Sequence, residues 1–387
     1  MKTMVSDMAR VYLGDVAREV KQKAPVGQGL PTVGLEHLDP GEVELARWDE
    51  NSETTFTKAF SKGQVLFGRR RAYLRKATVA PFDGICSGDI TVIAAKSSLS
   101  PRLLPFVIQN DALFEHAITN SAGSLSPRVK WQSLSRFEFE LPGIGKQEEL
   151  ADTLWTAQET RSHYKQLIAA CDDVVKSQFV EMFGDPVENP KGWETSSLTS
   201  LGSCKNGMNF KSKESGIELP CLGVGDFKDR SVINDVSEMG RINLDDEPAE
   251  GFFLKDGDIV FVRSNGNKEL VGRCLAVYPH GEKAVFSGFC IRLRVESDKV
   301  RIPYLIWALK QPSMRQQMFG RGANVQNLNQ KLMAKVDVPI PPLAEQDRFL
   351  ALVSIVDKSK FAVQKALNEL NATTKKILNQ ELGLGDV

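Results

Sequence analysis

Long hydrophobic runs are absent from this sequence of 387 residues. Its longest apolar stretches, such as residues 103–108, are far shorter than the roughly 18 to 20 residues of a membrane-spanning helix. Residues 1–7 lack the apolar stretch of a signal peptide, so we expect a cytoplasmic protein. Apolar residues make up 42% of the chain and charged residues 25%. This composition is typical of globular proteins, and the length predicts two or three domains.

Cysteine and histidine are scarce and scattered. The six cysteines include no C-x-x-C pair, so neither a zinc site nor a disulfide framework is indicated. The four histidines are far apart and fit no metal-ligand spacing. His163 is expected on the outer, solvated face of a helix. We therefore predict no metal site.

The net charge of the chain is zero, because 49 basic side chains balance 49 acidic ones. The parts of the chain differ, however. Residues 1–144 hold 18 basic and 16 acidic side chains, and residues 189–343 hold 21 and 18. Residues 145–188 hold 4 and 9, and residues 344–387 hold 6 of each. Two parts are thus faintly basic, which is weak support for contact with phosphate.

Catalytic signatures are missing as well. The sequence has no G-x-x-x-x-G-K-[ST] phosphate loop, and no G-x-G-x-x-G opens a helix after a strand. It also lacks Asn-Pro-Pro or Asp-Pro-Pro before an aromatic residue, the tetrapeptide with which amino-methyltransferases hold a target base. Asp185-Pro186 and Asn189-Pro190 are interpreted as turn-forming residues of a linker that follows a helix. A duplicated enzyme should show its chemistry twice, so we expect no catalytic residues.

The sequence does contain an internal repeat of about 199 residues. Sparse but collinear matches extend over nearly the whole chain, and they include Ser87-Gly88 with Ser287-Gly288, Gly123 with Gly322, Gln147 with Gln346, Lys176 with Lys375, and Gly184 with Gly383. Such self-similarity indicates a tandem duplication.

Each copy has two parts. Residues 1–144 and 189–343 contain short β-branched or aromatic runs between Gly, Pro, Asn and Asp, which predict strand-rich domains with some short helices. Residues 145–188 and 344–387 each contain one long helix, over about 146–181 and 345–380, with prolines before it and Gly184 or Gly383 after it. The predicted fold class is α+β.

The two long helices share a stripe with alternating steps of four and three residues, the pattern of a coiled-coil seam. The apolar seam positions are Leu150, Leu154, Ala157, Tyr164, Ile168, Val175, Phe349, Val353, Val356, Val363, Leu367, Leu370 and Ile377. Arg161 and Lys360 occupy matching positions in mid-seam, where they are mildly unfavourable and are candidates for setting the register. The alternative is an ordinary amphipathic helix on each domain, but the helices are about three times the usual length.

Three polar segments are candidates for binding. The first follows a predicted strand in each copy, and its candidate residues are Arg69, Arg70, Arg71, Arg75 and Lys76, then Arg263, Asn265, Asn267 and Lys268. Arg and Asn suit bidentate contacts with guanine and adenine. The alternative is a solvated hairpin whose charges keep a sheet edge from pairing.

The second segment carries amide and basic donors that suit phosphate and base contacts. Its candidates are Arg128 and Lys130 in the first copy, and Arg321, Asn324, Gln326, Asn327 and Lys331 in the second. Helix capping and turn chemistry are the alternative. In the third segment, Lys205 and Lys211 are candidates for a phosphate strip, with a plain surface loop as the alternative.

The residues resemble the specificity (DNA-recognition) subunits of type I restriction–modification enzymes, over essentially the whole chain. The motifs that carry the resemblance are Val338-Pro339-Ile340-Pro341-Pro342-Leu343-Ala344-Glu345-Gln346, Phe179-Val180-Glu181-Met182-Phe183-Gly184-Asp185-Pro186 and Asn189-Pro190-Lys191-Gly192-Trp193. The corresponding entry to the first helix keeps only Pro142 and Gln147 of the usual motif.

The resemblance implies a duplicated recognition domain, each copy reading one half of a split target in double-stranded DNA. It also implies that the helices form an antiparallel coiled coil, an orientation that periodicity alone leaves open. A helix of about 35 residues is about 50 Å long, enough to separate readers by one DNA turn of about 34 Å. The implied partners are two DNA methyltransferase subunits and an ATP-dependent restriction subunit. S-adenosylmethionine and ATP belong to those partners, and no cofactor is expected on this chain.

Other functions are alternatives. A self-contained methyltransferase or nuclease requires a cofactor fingerprint, and an adaptor joins proteins without touching DNA. A variant of the leading interpretation is a specificity subunit of a methylation-only phage-defence system. The polar loops of the two copies differ. We therefore predict an asymmetric target.

Overall fold

The computed structural model describes residues 8–24, 29–50, 54–210, 216–228, 230–318 and 327–385. The chain divides into two compact units. The first unit comprises Met1–Ile168 with Ala362–Val387, and the second comprises Ala169–Phe361. The DNA-binding candidates Lys211, Arg321, Asn324 and Gln326 lie outside the described residues.

The first unit contains nine strands among its described residues. They are β1 (Ala9–Tyr12), β2 (Ala17–Val20), β3 (Thr32–Val33), β4 (Lys58–Phe60), β5 (Val65–Gly68), β6 (Ala77–Val79), β7 (Gly84–Cys86), β8 (Ile90–Ala95) and β9 (Glu138–Leu141). The helices are α1 (Leu13–Val16), α2 (Leu104–Ile108), α3 (Asp111–Thr119), α4 (Trp131–Leu134) and the start of α5 (Ile144–Phe183). The main sheet has the antiparallel order β2-β8-β5-β6, beside a small sheet β3-β7-β4 and the pair β1-β9.

The second unit repeats this layout with additions. Its strands are β10 (Thr195–Ser197), β11 (Gly202–Asn206), β12 (Ile217–Leu222), β13 (Val232–Ile233), β14 (Gly240–Leu244), β15 (Asp258–Val262), β16 (Cys274–Val277), β17 (Val285–Phe286), β18 (Cys290–Val295) and β19 (Asp337–Pro339). Its helices are α6 (Ile302–Leu309), α7 (Pro312–Met318), α8 (Gln330–Met333) and the start of α9 (Leu343–Glu381). The main sheet β11-β18-β15-β16-β13 matches the first unit's sheet with one more edge strand.

The central strands are apolar throughout because each separates two cores. In β5, Val65 and Phe67 pack into one core and Leu66 into another. In β15, Ile259 and Phe261 pack with the helices, while Val260 and Val262 face the opposite core. Successive strand residues point to opposite sheet faces, so burial of both faces requires an unbroken apolar run. The repeat predicted from spacing is confirmed at this level.

The two long helices pack together in opposite directions. In the first unit, Lys146 near the start of α5 pairs with Glu381 at the end of α9, with 2.6 Å between Nζ and Oε2. In the second unit, the rings of Phe179 and Phe183 near the end of α5 each lie 5.5 Å from Phe349 near the start of α9. This antiparallel pairing confirms the orientation implied by the resemblance. Every apolar seam residue is buried or half-buried, whereas His163 is exposed.

The charged seam residues find separate partners. Lys360 donates from Nζ to Oδ1 of Asp172 on the other helix at 2.6 Å, within the second unit. Arg161 leaves the seam and donates to the carbonyl of Gly41 and to Oε1 of Glu42, at 3.0 and 3.1 Å. Of these two seam residues, Lys360 therefore joins one long helix to the other through an ion pair, while Arg161 fastens its helix to the first strand-rich domain.

Candidate nucleic-acid interface

A tight turn leads into the strand β8 in the first unit and into β18 in the second. We call residues 87–90 the first-unit turn and residues 287–290 the second-unit turn. The hydroxyl of Ser87 accepts from the backbone N–H of Asp89 at 3.2 Å, and the hydroxyl of Ser287 accepts from that of Phe289 at 3.2 Å. The two turns therefore have the same local hydrogen bond and carry different side chains at the equivalent position.

The first and second polar segments meet beside each turn. In the first unit, Arg69 N donates to the carbonyl of Asp89 at 3.0 Å, and Val129 N donates to the carbonyl of Arg69 at 3.0 Å. The neighbouring residues Arg70 and Arg128 form an antiparallel bridge. Two segments that are about 60 residues apart in sequence are thus hydrogen-bonded neighbours.

The same arrangement recurs in the second unit. Arg263 N donates to the carbonyl of Phe289 at 2.8 Å, and Leu328 N donates to the carbonyl of Arg263 at 2.8 Å. Ser264 and Asn327 form the antiparallel bridge. The duplicated position of the polar loops therefore corresponds to a duplicated backbone frame.

The third polar segment lies on the other side of the second-unit turn. Met208 N donates to the carbonyl of Phe286 at 3.0 Å, and Gly288 N donates to the carbonyl of Met208 at 2.7 Å. Lys205 is half-buried in β11, with Nζ 4.2 Å from the centre of the Phe252 ring. The structure thus gathers all three segments around one turn, although the Lys205 ammonium contacts an aromatic ring of its own domain.

Charge at the first-unit turn is concentrated on Asp89. The Arg128 guanidinium binds this carboxylate through two hydrogen bonds, of 2.7 Å from Nε and 3.2 Å from Nη2. Arg70 Nη1 lies 3.6 Å from the same carboxylate and its Nε donates to the Ser126 hydroxyl at 2.5 Å. The hydrogen bond from Arg128 holds the pKa of Asp89 below its ordinary value, so the group is a carboxylate at neutral pH.

The second-unit turn carries no such carboxylate at the equivalent position. Phe289 stands there, and 62% of it is exposed. Arg263 reaches the carbonyl of Gly288 with Nη1 at 3.3 Å. The Nε atoms of Arg69 and Arg263 are both buried and have no hydrogen-bond partner among the described residues. The same position in each unit therefore holds an arginine with unused hydrogen-bonding capacity.

Several DNA-binding candidates of the first unit contact residues of their own domain. Arg75 pairs with Asp111 and, at 2.5 Å, with Glu115, both on α3. Lys76 Nζ donates to the carbonyl of Leu35 at 2.8 Å. Arg71 is exposed and has a left-handed backbone with φ of 54°, and Lys130 is exposed directly before α4. The structure therefore leaves Arg71 and Lys130 more accessible than Arg75 and Lys76.

Two asparagines of the second unit shape the loop that holds them. Asn265 Oδ1 accepts from Asn267 N at 2.8 Å, and Asn267 Oδ1 accepts from Glu269 N at 3.0 Å, where it caps a short 3-10 helix. Asn267, Lys268, Asn327 and Lys331 are exposed. Turn formation and helix capping thus use the side-chain oxygens of Asn265 and Asn267. Their assignment to DNA binding stays a prediction.

Asp89 and Phe289 are the site residues that the sequence analysis missed. The repeat contained the signal, because each directly follows the matching Ser-Gly pair. A carboxylate in one copy and an aromatic ring in the other made the position look unrelated to binding. The position is recognisable as part of a candidate site only in the tertiary structure, where the polar segments lie beside it.

Metal-ligand clusters, membrane-spanning helices and reactive thiols are the other features of interest in the described ranges. No cluster of three or more His, Cys, Asp or Glu side chains there is arranged to hold a metal ion. In the same part of the chain, no helix is both long and apolar enough to cross a membrane. Burial raises the pKa of Cys204 to about 11 and those of Cys86, Cys221 and Cys274 to about 12. These thiols are therefore protonated at neutral pH.

Comparison with known proteins identifies the proteins that this chain resembles. The family described as "Type I restriction modification DNA specificity domain" matches residues 190–372. The StySPI specificity subunit of a type I restriction enzyme from Salmonella potsdam is 23% identical over 340 residues, or 83% of this chain and 72% of that protein. The EcoKI specificity subunit from Escherichia coli K12 is 23% identical over 290 residues, or 69% of this chain and 62% of that protein.

Solved structures show the same fold. A chain from a study of assembly and conformational transition of the type I restriction–modification system aligns over 100% of both chains, with a TM-score of 0.61 and 19% identity. The specificity subunit from M. genitalium aligns over 100% of this chain and 98% of that one, with a TM-score of 0.55 and 15% identity. The chain is therefore similar to type I restriction–modification specificity subunits, in sequence over the matched domain at residues 190–372 and in fold over the aligned chain.

Proposed function

We propose that this chain is the non-catalytic DNA-sequence-specificity subunit of a type I restriction–modification complex. Each strand-rich domain reads one half of a bipartite, asymmetric target. The long helices set the spacing between the halves and dock the methylation subunits. S-adenosylmethionine and ATP act on partner subunits, namely two adenine-specific methyltransferase subunits and an ATP-dependent restriction subunit.

One observation carries the proposal. The two units present the same turn and the same flanking backbone, yet Asp89 stands in one turn and Phe289 in the other. A shared frame with different side chains at one position is suited to reading two different sequences in the same way, because base edges differ in donors, acceptors and methyl groups. It therefore favours an asymmetric target over a palindrome.

The proposed docking role rests on apolar side chains that the helix pairing leaves exposed. In the second unit, Phe361 and Ile355 of α9 are 72% and 63% exposed, and Val180 and Val174 of α5 are 51% and 48% exposed. We take these exposed apolar side chains as the place where a methylation subunit packs. We expect Phe361→Ser to weaken co-purification with the methylation subunit, whereas Lys365→Ser, at another exposed position of the same helix, should not.

The experiment that tests the function is co-expression with the cognate methylation subunit, followed by mapping of methylated adenines across the host genome. A split motif with a fixed gap is the expected result. Exchange of residues 1–144 for the domain of a relative should then change one half of the motif only. A palindromic motif would contradict the asymmetric target.

Matched variants separate DNA reading from an adaptor role. Arg263→Gln should weaken binding of the complex to its target DNA, since it removes a positive charge beside the second-unit turn. Lys365→Gln removes one charge from the exposed surface of α9 and should leave binding unchanged. An adaptor that never touches DNA predicts equal affinity for both variants, and methylation or cleavage by the chain alone would restore the enzyme alternative.

A further inference from the structure

The side chain of Phe289 is unusual for its position. It is 62% exposed, although the backbone of this residue makes several hydrogen bonds. Its carbonyl accepts from Arg263 N at 2.8 Å and from Ser264 N at 3.2 Å, and its own N–H donates to the Ser287 hydroxyl at 3.2 Å. The ring is therefore presented to solvent from a fixed base.

A neighbouring segment of the same chain, residues 208–209, holds the second-unit turn from the other side. Gly288 lies so close to Asn209 that a Cβ atom on it would be 2.1 Å from Oδ1 of that residue. Gly288 N also donates to the carbonyl of Met208 at 2.7 Å. A backbone that is held from both sides loses little further freedom when the ring meets a ligand, which favours the use of Phe289 as an anchor.

The surroundings of the ring indicate which ligand it meets. Arg263 contacts the same turn through its guanidinium, and the exposed Asn327 lies in the segment that pairs beside it. Cationic and amide groups around a single apolar group match the edge of an A·T pair, where the thymine 5-methyl group lies next to polar base atoms and near phosphates.

We propose that Phe289 reads a pyrimidine 5-methyl group, that of thymine, in the half-site recognised by the second unit. This inference rests on the proposed function and assigns a specificity-determining residue to it. In the first unit, Asp89 stands at the equivalent position as a carboxylate bound by Arg128. A carboxylate accepts from base amino groups and gains nothing from a methyl group. Discrimination of the methyl group should therefore be confined to one half of the target.

The test uses the complex of the full chain with its methylation subunit and duplexes that carry the motif found by methylation mapping. Thymines of the second-unit half are replaced one at a time by uracil, which differs only by the missing methyl group. We expect one replacement to weaken binding of the wild-type complex about three- to tenfold, the effect of one buried methyl group and its packing. The Phe289→Ala complex should bind the thymine and uracil duplexes equally, and Phe289→Leu should keep part of the difference.

Control experiments distinguish the role of Phe289 from the proposed specificity function on which it rests. The same replacements in the first-unit half should not respond to Phe289→Ala, and the melting temperature should be unchanged because the ring is exposed. Equal binding of thymine and uracil duplexes by the wild type would overturn the inference while leaving the specificity function in place. So would a second-unit half without any A·T pair, or an unchanged preference for thymine in Phe289→Ala. Absence of any methylation motif would instead overturn the proposed function itself.

Discussion

Gln147 and Gln346, which are 199 residues apart, make the same three hydrogen bonds in their respective units. Gln147 Oε1 accepts from Ser100 N at 2.8 Å, and its Nε2 donates to the carbonyls of Ser98 and Pro142 at 3.0 and 2.8 Å. Both glutamine side chains are almost completely buried, at 2% and 0% exposed. Each one thereby fastens the first turn of a long helix to the loop that precedes the domain's own helices.

Replacement of Gln346 should destabilise the second unit. Its amide satisfies Arg301 N at 2.7 Å and the carbonyls of Lys299 and Pro341 at 3.0 and 2.7 Å. We expect Gln346→Leu to lower the free energy of unfolding by about 2 to 4 kcal/mol, because it leaves buried backbone groups without partners. Urea denaturation measures the change. Gln364→Leu, at an exposed position of the same helix, is the control, and an equal effect of the two variants would contradict the assignment.

The ion pair between Asp172 and Lys360 should contribute little to stability and more to register. Both side chains are partly exposed, at 46% and 36%. A double-mutant cycle with Asp172→Asn and Lys360→Met should give a coupling energy of about 0.2 to 1 kcal/mol. Crosslinking between cysteines introduced along α5 and α9 should show more than one register in Lys360→Met. A single register in that variant would show that the apolar seam sets the alignment alone.

The stability of the first unit should respond to Asp89 in acid. Because the hydrogen bond from Arg128 lowers the pKa of Asp89 in the folded state, the pair stabilises the fold above the ordinary pKa of aspartate. That contribution is lost as the pH falls through the lowered pKa. In Arg128→Gln we expect the pKa of Asp89 to rise, as followed by an NMR titration of its carboxyl carbon. The difference in stability between wild type and variant should shrink below about pH 4, and a difference independent of pH would argue against this pair.

A buried charge cluster in the second unit should be essential to the stability of that unit. Asp258 is 1% exposed and binds Arg294 through two hydrogen bonds of 2.8 and 2.7 Å, with the buried Arg292 beside it. Asp258→Asn should cost about 3 to 5 kcal/mol in unfolding free energy, because it leaves buried guanidinium charge without its counterion. Calorimetry of the intact chain measures this, with the exposed Asp298→Asn as control. A change below about 1 kcal/mol, the range of a surface pair, would contradict the assignment.

The sequence predicted the parts of this fold that depend on periodicity and local chemistry. Apolar residues at steps of four and three predicted helices over about 146–181 and 345–380, and the structure has them at Ile144–Phe183 and Leu343–Glu381. Short β-branched and aromatic runs predicted strand-rich domains, and the structure has such runs in strands, as in β15 at Asp258–Val262. These signals are local, so they can be recognised without knowledge of any distant contact.

The candidate site was less predictable, because its members are defined by partners far away in the chain. Arg75 looked like Arg70 in sequence, yet it pairs with α3, whereas Arg70 lies at the turn. In the sequence Asp89 is a lone carboxylate, because the residue that binds it, Arg128, lies 39 residues later. No local pattern specifies which charge meets which.

The sequence by itself thus determined the duplication, the strand-rich and helical parts, and the seam of the long helices. Only the tertiary structure decided that the helices run in opposite directions in each unit, and that Asp89 and Phe289 occupy one equivalent turn. The physical reason is that a heptad stripe buries equally well in either direction. Direction and site are fixed by long-range pairs such as Lys146 with Glu381, which exist only once the chain has folded.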